Sequence, residues 1–270
     1  MKTTRYVAAG SVLLAILLIA IAGVSLATKA SLQTQYRPTG NEGRISGTIM
    51  FAGDAPRPKR IDVGSDEVCV SINPELDTED TVVTDGKLAN VFVYVKSGAL
   101  DDYKFNAPEV NIVLEHRGCH YVPHMLGMQT NQTLSVINSD ATTHNTHPIP
   151  KSNAEWNVSQ TAGGPPIERQ FSKPETFIPF KDNQHPWERS YLGVFTHPFF
   201  YVTDIDGKYA INGLPPGHYQ LVAWHERYGE QTLEVTVGAK TSNIENFTFN
   251  AGSTAGSNFS SSAAASPANQ

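Results

Sequence analysis

The residues most able to do chemistry are histidines and carboxylates gathered in three short stretches. FKDNQHPWERSYLGVF (180–195) spaces Asp182, His185 and Glu188 three residues apart. THNTH (143–147) carries His144 and His147, and CHYVPH (119–124) carries Cys119, His120 and His124. Imidazole and carboxylate are both metal ligands, so the chemistry such residues offer together is the binding of a cation. The opposing reading is a loop whose polar side chains face solvent and hold nothing. A lone cysteine beside close histidines, as in CHYVPH, is weak as a metal cluster of its own. No C-x-x-C-H is present, so covalently attached haem is not expected. There is no G-x-S-x-G, H-E-x-x-H or phosphate-cradling loop either. DIDG (204–207) lacks the rest of a calcium loop and reads as a turn.

The elements that must position these residues are strands. The chain has 270 residues and a net charge of −6, with no basic stripe, so nucleic acid is not an expected partner. RISGTIMF (44–51) alternates, with Ile45, Ile49 and Phe51 on one face. NVFVYVK (90–96), VNIVLE (110–115), QTLSVIN (132–138), YLGVF (191–195), FFYVT (199–203), KYAI (208–211), HYQLVAWH (218–225) and QTLEVTV (231–237) follow. Asp206-Gly207 and GLPPG (213–217) are turn signals between them. No helical periodicity of useful length occurs between 43 and 250. The pattern predicts an all-β protein of one or two sandwiches.

The ends differ from this middle. Lys2 and Arg5 precede an apolar run, Tyr6–Ala27, that contains no charge. About 20 apolar residues cross a bilayer as a helix, whereas a secretory signal has a shorter apolar region of roughly 7–15. SLA at Ser25–Ala27 would suit a signal peptidase. Residues 1–27 are therefore expected to be a transmembrane anchor or a signal peptide. Either places the rest of the chain on the periplasmic or extracellular side, with the membrane as a partner if the helix is retained. Residues 28–42 read as a linker, and 251–270 as a disordered tail of Gly, Ser and Ala.

Two family resemblances join these observations. VTDIDGKYAINGLPPGHYQLVAWHERYGEQTLEVTV (202–237) resembles the second half of a carboxypeptidase regulatory-like, transthyretin-like domain, and GRISGTIMFAGDAPRPKRI with ANVFVYVK resembles its first half. Between them, GMQTNQTLSVINSDATTHNTH (127–147) resembles the first ligand region of a cupredoxin, where a strand ends in N-x-D and a ligand His is followed by Asn. ETFIPFKDNQHPWERSYLGVF (175–195) resembles the last cupredoxin strand, its ligand loop and the closing strand. The combination is similar to bacterial envelope proteins labelled methylamine-utilisation-like.

What these resemblances imply is a cupredoxin-like Greek-key barrel or sandwich (99–198) inserted in or packed beside a transthyretin-like β-sandwich (43–98 and 199–250). They also imply a metal set. His144 and His185 stand where the family's two imidazoles stand. Asp182 stands in place of the thiolate and Glu188 in place of the axial thioether. Asn145, His147 and His124 are expected around the site rather than as ligands. Two imidazoles with two carboxylates suit Cu(II), Zn(II) or Fe(II) better than Cu(I). Without sulfur on the metal, no intense blue colour is expected, and a site that holds no metal at all is the alternative.

The two cysteines, Cys69 and Cys119, are an even count in an exported chain and are expected to pair. Closing a loop of about 50 residues contributes roughly 3 to 4.7 kcal/mol in the chain-entropy picture. Three functions remain on this reading. One is a copper- or other metal-binding protein with an electron-transfer or metal-handling role and an envelope or redox partner. Another is a β module that kept the fold and lost the metal. The last is an iron-dependent enzyme using two histidines and a carboxylate. No enzyme is the expectation, because that triad also needs open coordination positions.

Overall fold

In the run VFVYV (Val91–Val95), alternate residues point to opposite sides of one strand, and both sets are apolar. In the computed structural model of the protein, which describes residues 33–252, both sides are buried. Val91, Val93 and Val95 enter one hydrophobic core, while Phe92 and Tyr94 enter another. The strand Phe92–Gly98 is therefore a wall shared by two packed layers.

On one side of that wall lies a sandwich. Its inner sheet orders Phe200–Val202, Phe92–Gly98, Gly217–His225 and Gly229–Val237. The facing sheet orders Lys208–Leu214, Gly43–Ala52, Lys87–Leu88 and Val83–Thr84, with Ser242–Ile244 and Phe247–Asn250 running parallel to Gly43–Ala52. Ile45, Ile49 and Phe51 fill its core, as their alternation predicts. The Asp206-Gly207 turn closes through Gly207 N–H donating to Asp204 O at 2.9 Å, with Gly207 at φ 61°. Its missing Cβ would lie 2.7 Å from Ile49 O, so the turn needs glycine for space as well as for φ.

On the other side of the wall lie two more sheets. One orders Val158–Gln160, His144–Pro148, Glu175–Lys181, Arg189–Phe195 and Met125–Gln129. The other orders Ile167–Gln170, Thr133–Asn138, Ile112–His116 and Tyr121–Val122. Between them Leu114, Met128, Leu134, Phe180, Leu192 and Val194 form a second core. The outer face of the first of these sheets meets the wall through Phe177, Tyr191 and Phe195, packed on Phe92, Tyr94 and Trp224. Gly127 and Gly193 are paired partners on that face. A Cβ at either would come 2.7 Å or 2.9 Å from the Phe92 ring, so the glycines make room for it.

The one helix among the described residues is short, Glu67–Ile72. Asp66 caps it by accepting from Val68 N–H at 2.8 Å and Cys69 N–H at 3.2 Å, and Glu67 lies in its first turn. A six-residue helix with one buried residue, Cys69, has too little apolar face to show periodicity, which is why the sequence reads as strands and loops alone. The Cys69–Cys119 disulfide is formed, with Cα atoms 5.6 Å apart. The expected anchor or signal helix, residues 28–32 of the linker and the tail beyond residue 252 lie outside the described residues; the rest of the linker is not a free tether, since Thr34–Gln35 pairs in parallel with Tyr103–Lys104 and Tyr36 packs on Tyr103 and Phe105. Among those described, no helix is long and apolar enough to cross a membrane.

Candidate metal centre

Several strands end together at one rim of the second sandwich. Ile112–His116 and Thr133–Asn138 pair in parallel with His116 opposite Asn138, so both stop at the same level. Glu175–Lys181 and Arg189–Phe195 pair through Lys181 and Arg189, and the loop 182–188 spans that gap. His144 begins the strand His144–Pro148 beside it. The loop is held tightly. Asp182 Oδ1 accepts from the main-chain N–H of Gln184 at 2.6 Å and of His185 at 2.9 Å, and Glu188 N–H donates to His185 O at 2.9 Å. Asp182 Oδ2 accepts from Asn145 N–H at 2.9 Å, which ties the loop to the strand that carries His144.

This brings His144, Asp182 and Glu188 within 4.8 Å of one another, with His116 as the fourth member of that group, while His185 reaches the same two carboxylates. His144 Nδ1 lies 3.1 Å from Asp182 Oδ2 and 2.9 Å from Glu188 Oε1. His185 Nδ1 lies 3.3 Å from the same Asp182 oxygen and 3.9 Å from the same Glu188 oxygen. All four side chains are buried. Four donors bound tetrahedrally at about 2.0–2.1 Å stand roughly 3.3 Å apart, and these spacings scatter around that value.

The far atom of each donor has its own partner. His144 Nε2 bonds Asp140 Oδ2 at 3.0 Å, and His185 Nε2 bonds Asp66 Oδ2 at 3.2 Å. Asp140 in turn accepts from Gly118 N–H and Cys119 N–H, at 2.7 and 2.8 Å, and Asp66 accepts from Thr142 Oγ1 at 2.7 Å. A carboxylate on Nε2–H fixes the tautomer and leaves the Nδ1 lone pair for the metal. His116 Nδ1 bonds Glu188 Oε2 at 2.7 Å, which leaves Oε1 facing the other donors.

Glu188 Oε1 tests whether a cation fits. It is buried and has no hydrogen-bond partner. Its 2.9 Å approach to His144 Nδ1 is an ion pair without hydrogen-bond geometry. A buried acceptor left unsatisfied costs about 1–3 kcal/mol, more when charged, and a cation among the four donors removes that cost. The two inner carboxylates also balance a divalent charge.

Without a cation, protons take its place. Burial opposes a charge on His144, but Asp140, Asp182 and Glu188 outweigh burial and push its pKa up to about 11. His185 is raised likewise, with Asp182 and Asp66 outweighing burial. Burial acts to raise Asp182, yet His144, His185 and the main-chain N–H groups hold it far below the carboxylate range. Burial also opposes the charge on Asp66, but Thr142, the Cys69 N–H and His185 bring it down to about 2. Glu188 is lowered by His116 and His144 against its burial.

The residues expected around the site divide. Asn145 is there through its main chain, and its Oδ1 also accepts from Asn183 N–H at 3.2 Å. His147 is not: it is three residues along the strand from His144, turns outward and bonds Glu155 Oε1 at 2.7 Å. His124 is not either, since it pairs with Glu226. Three members went unassigned in the sequence: His116, Asp140 and Asp66. His116 is fully buried, stacks on His144 with ring centroids 4.5 Å apart, and bonds Thr146 Oγ1 at 2.9 Å. Asp140 is the last residue of the N-x-D motif, which was the available signal for it. The Cys/His cluster alternative at CHYVPH is excluded in this state by the disulfide.

Parts of the chain are similar in structure to copper proteins. A copper-containing nitrite reductase (NirK) from Thermus scotoductus matches at 11% identity over 54% of this chain and 28% of that chain, with a TM-score of 0.30. The chain thus spans under a third of the reductase. A purple cupredoxin from Nitrosopumilus maritimus matches at 18% identity over 30% of this chain and 97% of its own, with a TM-score of 0.27. An oxidised single-site variant of amicyanin matches at 20% identity over 31% of this chain and 81% of its own, with a TM-score of 0.28. No family model matches the sequence, and no curated protein sequence does. At these identities and scores the likeness carries no function to this chain.

Proposed function

We propose that the protein holds a divalent metal, copper first, between His144, Asp182, His185 and Glu188, as an exported protein of electron transfer or metal handling. The observation that carries this reading is Glu188 Oε1, a buried carboxylate oxygen with no hydrogen-bond partner that faces two imidazole nitrogens and a second carboxylate. Copper is favoured because Cu(II) binds imidazole and carboxylate donors most tightly among the first-row divalent ions. Four buried donors make a closed site, and a metal enzyme needs an open position, so binding is preferred to catalysis. Residues 99–198 are read as a cupredoxin-like module within a carboxypeptidase regulatory-like sandwich (43–98 and 199–250) of a methylamine-utilisation-like envelope protein. The apolar run at residues 6–27 would supply export or anchoring, and a redox or envelope protein would be the partner.

A metal-free module is the second reading. It is favoured by the hydrogen-bond geometry of His144 Nδ1 to Asp182 Oδ2, which lets a proton sit where the cation would. The two readings separate in a titration of the purified protein with Cu(II) and with Zn(II), followed by thermal unfolding and visible absorption. One equivalent should raise the unfolding midpoint without an intense visible band, and H144A should abolish the rise. A wild-type midpoint indifferent to both cations would establish the metal-free module instead.

A further inference from the structure

The disulfide lies directly behind the centre. Cys69 Sγ, a carboxylate oxygen of Asp66 and a ring nitrogen of His185 lie within 4.8 Å of one another. Cys119 Sγ, a carboxylate oxygen of Asp140 and a ring nitrogen of His144 do the same. The two sulfurs are bonded, so these trios meet at one place. The imidazole nitrogens paired with Asp66 and Asp140 are the Nε2 atoms, which the first site leaves on carboxylates and off its metal. Each histidine therefore has carboxylates at Nδ1, a further carboxylate on Nε2 and a cysteine sulfur within 4.8 Å of one ring nitrogen.

We propose that Cys69 and Cys119, once reduced, form a second metal site with His144 and His185 for a thiophilic cation, with Asp66 and Asp140 at its margin. The proposal extends the reading above, in which the same imidazoles serve a harder cation through Nδ1. The disulfide state then decides which kind of metal the rim holds. Two thiolates with imidazole are the donors of Zn(II), Cd(II) and Cu(I) sites, whereas the carboxylate pair on the other side suits Cu(II). The chemistry balances with a dithiol as reductant. The dithiol becomes a cyclic disulfide, Cys69 and Cys119 become thiols, and the cation then displaces the two thiol protons and the two Nε2 protons to solvent, each imidazole keeping a proton on Nδ1 toward Asp182.

Access to the sulfurs is local. Both are buried, but Cys69 is the single buried residue of the helix Glu67–Ile72. That one turn is anchored by the disulfide, by the Asp66 cap and by Asn73 Nδ2 donating to Gly118 O at 2.9 Å. The helix packs in a small cluster of its own, Val63, Cys69, Leu76 and Cys119 with Ile61 and Trp187, separate from the sandwich cores, so it can open without unfolding them. Opposite it, the segment that carries Cys119 is fixed by Trp187 Nε1–H donating to Cys119 O at 2.9 Å. Trp187 belongs to the ligand loop itself, so the thiol of Cys119 stays beside the imidazoles after reduction.

The test uses the full chain and Cd(II), whose thiolate complexes absorb in the ultraviolet by sulfur-to-metal charge transfer. Protein reduced with a dithiol and freed of it under nitrogen should develop that band, saturating at one equivalent. Disulfide-intact protein should not. The C69S/C119S variant should lose the band while keeping the Cu(II)-dependent rise of the unfolding midpoint, which reads the first site separately. H144A/H185A in the reduced state should weaken Cd(II) binding at least tenfold. A reduced, folded wild type without the band overturns the proposal. So does a band whose affinity ignores the loss of both imidazoles, and so does a chain that unfolds on reduction and is not refolded by Cd(II). A missing Cu(II) response in the disulfide form, with the Cd(II) band present in the reduced form, would remove the first site and leave this one.

Discussion

His116 Nδ1 lies 2.7 Å from Glu188 Oε2, and neither side chain reaches solvent. The imidazole is spent on both edges, since its Nε2 bonds Thr146 Oγ1. In this arrangement His116 aims Glu188, although it also belongs to the group of side chains able to hold a cation with His144, Asp182 and Glu188. H116F would keep a ring stacked on His144 and leave a buried carboxylate whose Oε2 has lost its partner and whose Oε1 keeps only the ion pair with His144. Removing one partner of a buried charged pair costs about 3–5 kcal/mol, and losing the group that orients a metal ligand weakens binding about 10- to 100-fold. Urea unfolding and a Zn(II) titration of the variant should show losses of those sizes.

Sulfur can be returned to the loop. D182C with E188M places a thiolate and a thioether among His144 and His185. Loaded with copper, that double variant should turn strongly coloured, because two imidazoles, a thiolate and a weak axial thioether are the donor set of a blue copper site. Adding H144A should remove the colour. A folded double variant that takes up copper and stays colourless would show that the loop does not hold that geometry.

Acid should weaken the fold through two histidines remote from the centre. His197 and His225 are buried, and burial pushes each pKa down to about 4. Their Nδ1 atoms accept from Phe199 N–H at 3.2 Å and Arg227 N–H at 3.1 Å, which requires the neutral ring. In the unfolded chain a histidine titrates near 6.5, so below that pH the unfolded state binds more protons and gains on the native one. Stability should be full above about pH 6.5, fall as pH drops, and level off below about 4, with roughly 3 kcal/mol at stake per residue. Replacing either ring with Phe should make the fall shallower in a set of urea unfolding curves.

The glycine pair on the wall makes a steric prediction. At Gly193 a Cβ would lie 2.6 Å from Phe195 and 2.9 Å from Phe92. G193V should destabilise by about 1–3 kcal/mol, the usual cost of overpacking, and F92L should recover part of that loss. Thermal unfolding of the single and paired variants checks both statements.

Local pattern revealed much of this molecule. Alternation in RISGTIMF and the double-sided run VFVYV gave strands close to those observed, because a strand's facing is set every second residue. The loop from Asp182 to Glu188 was legible for a similar reason, since its spacing is local. His116 and Asp66 were not, and Asp140 showed only as the end of the N-x-D motif. Each reaches the centre through pairing across the fold: His116 by parallel register with Asn138, Asp140 from the end of that strand, and Asp66 from a helix pinned by a disulfide to residue 119. Their partners lie between 4 and 119 residues away in sequence, and no spacing rule anticipates a contact set by how strands line up. His147, three residues from His144 and so on the other face of the strand, bonds Glu155, and His124, from a separate segment, pairs with Glu226.

The wall strand Phe92–Gly98 bears on how this candidate site can be borrowed. Its Phe92 and Tyr94 cover Phe177 and Phe195, and Trp224 from the next strand covers Phe177 and Tyr191. Cutting out residues 99–198 as a freestanding cassette would strip that cover and set a row of aromatic rings in water, beginning a few residues from the ligand loop. The centre is portable only together with its neighbour, or with its outer face rewritten in polar residues.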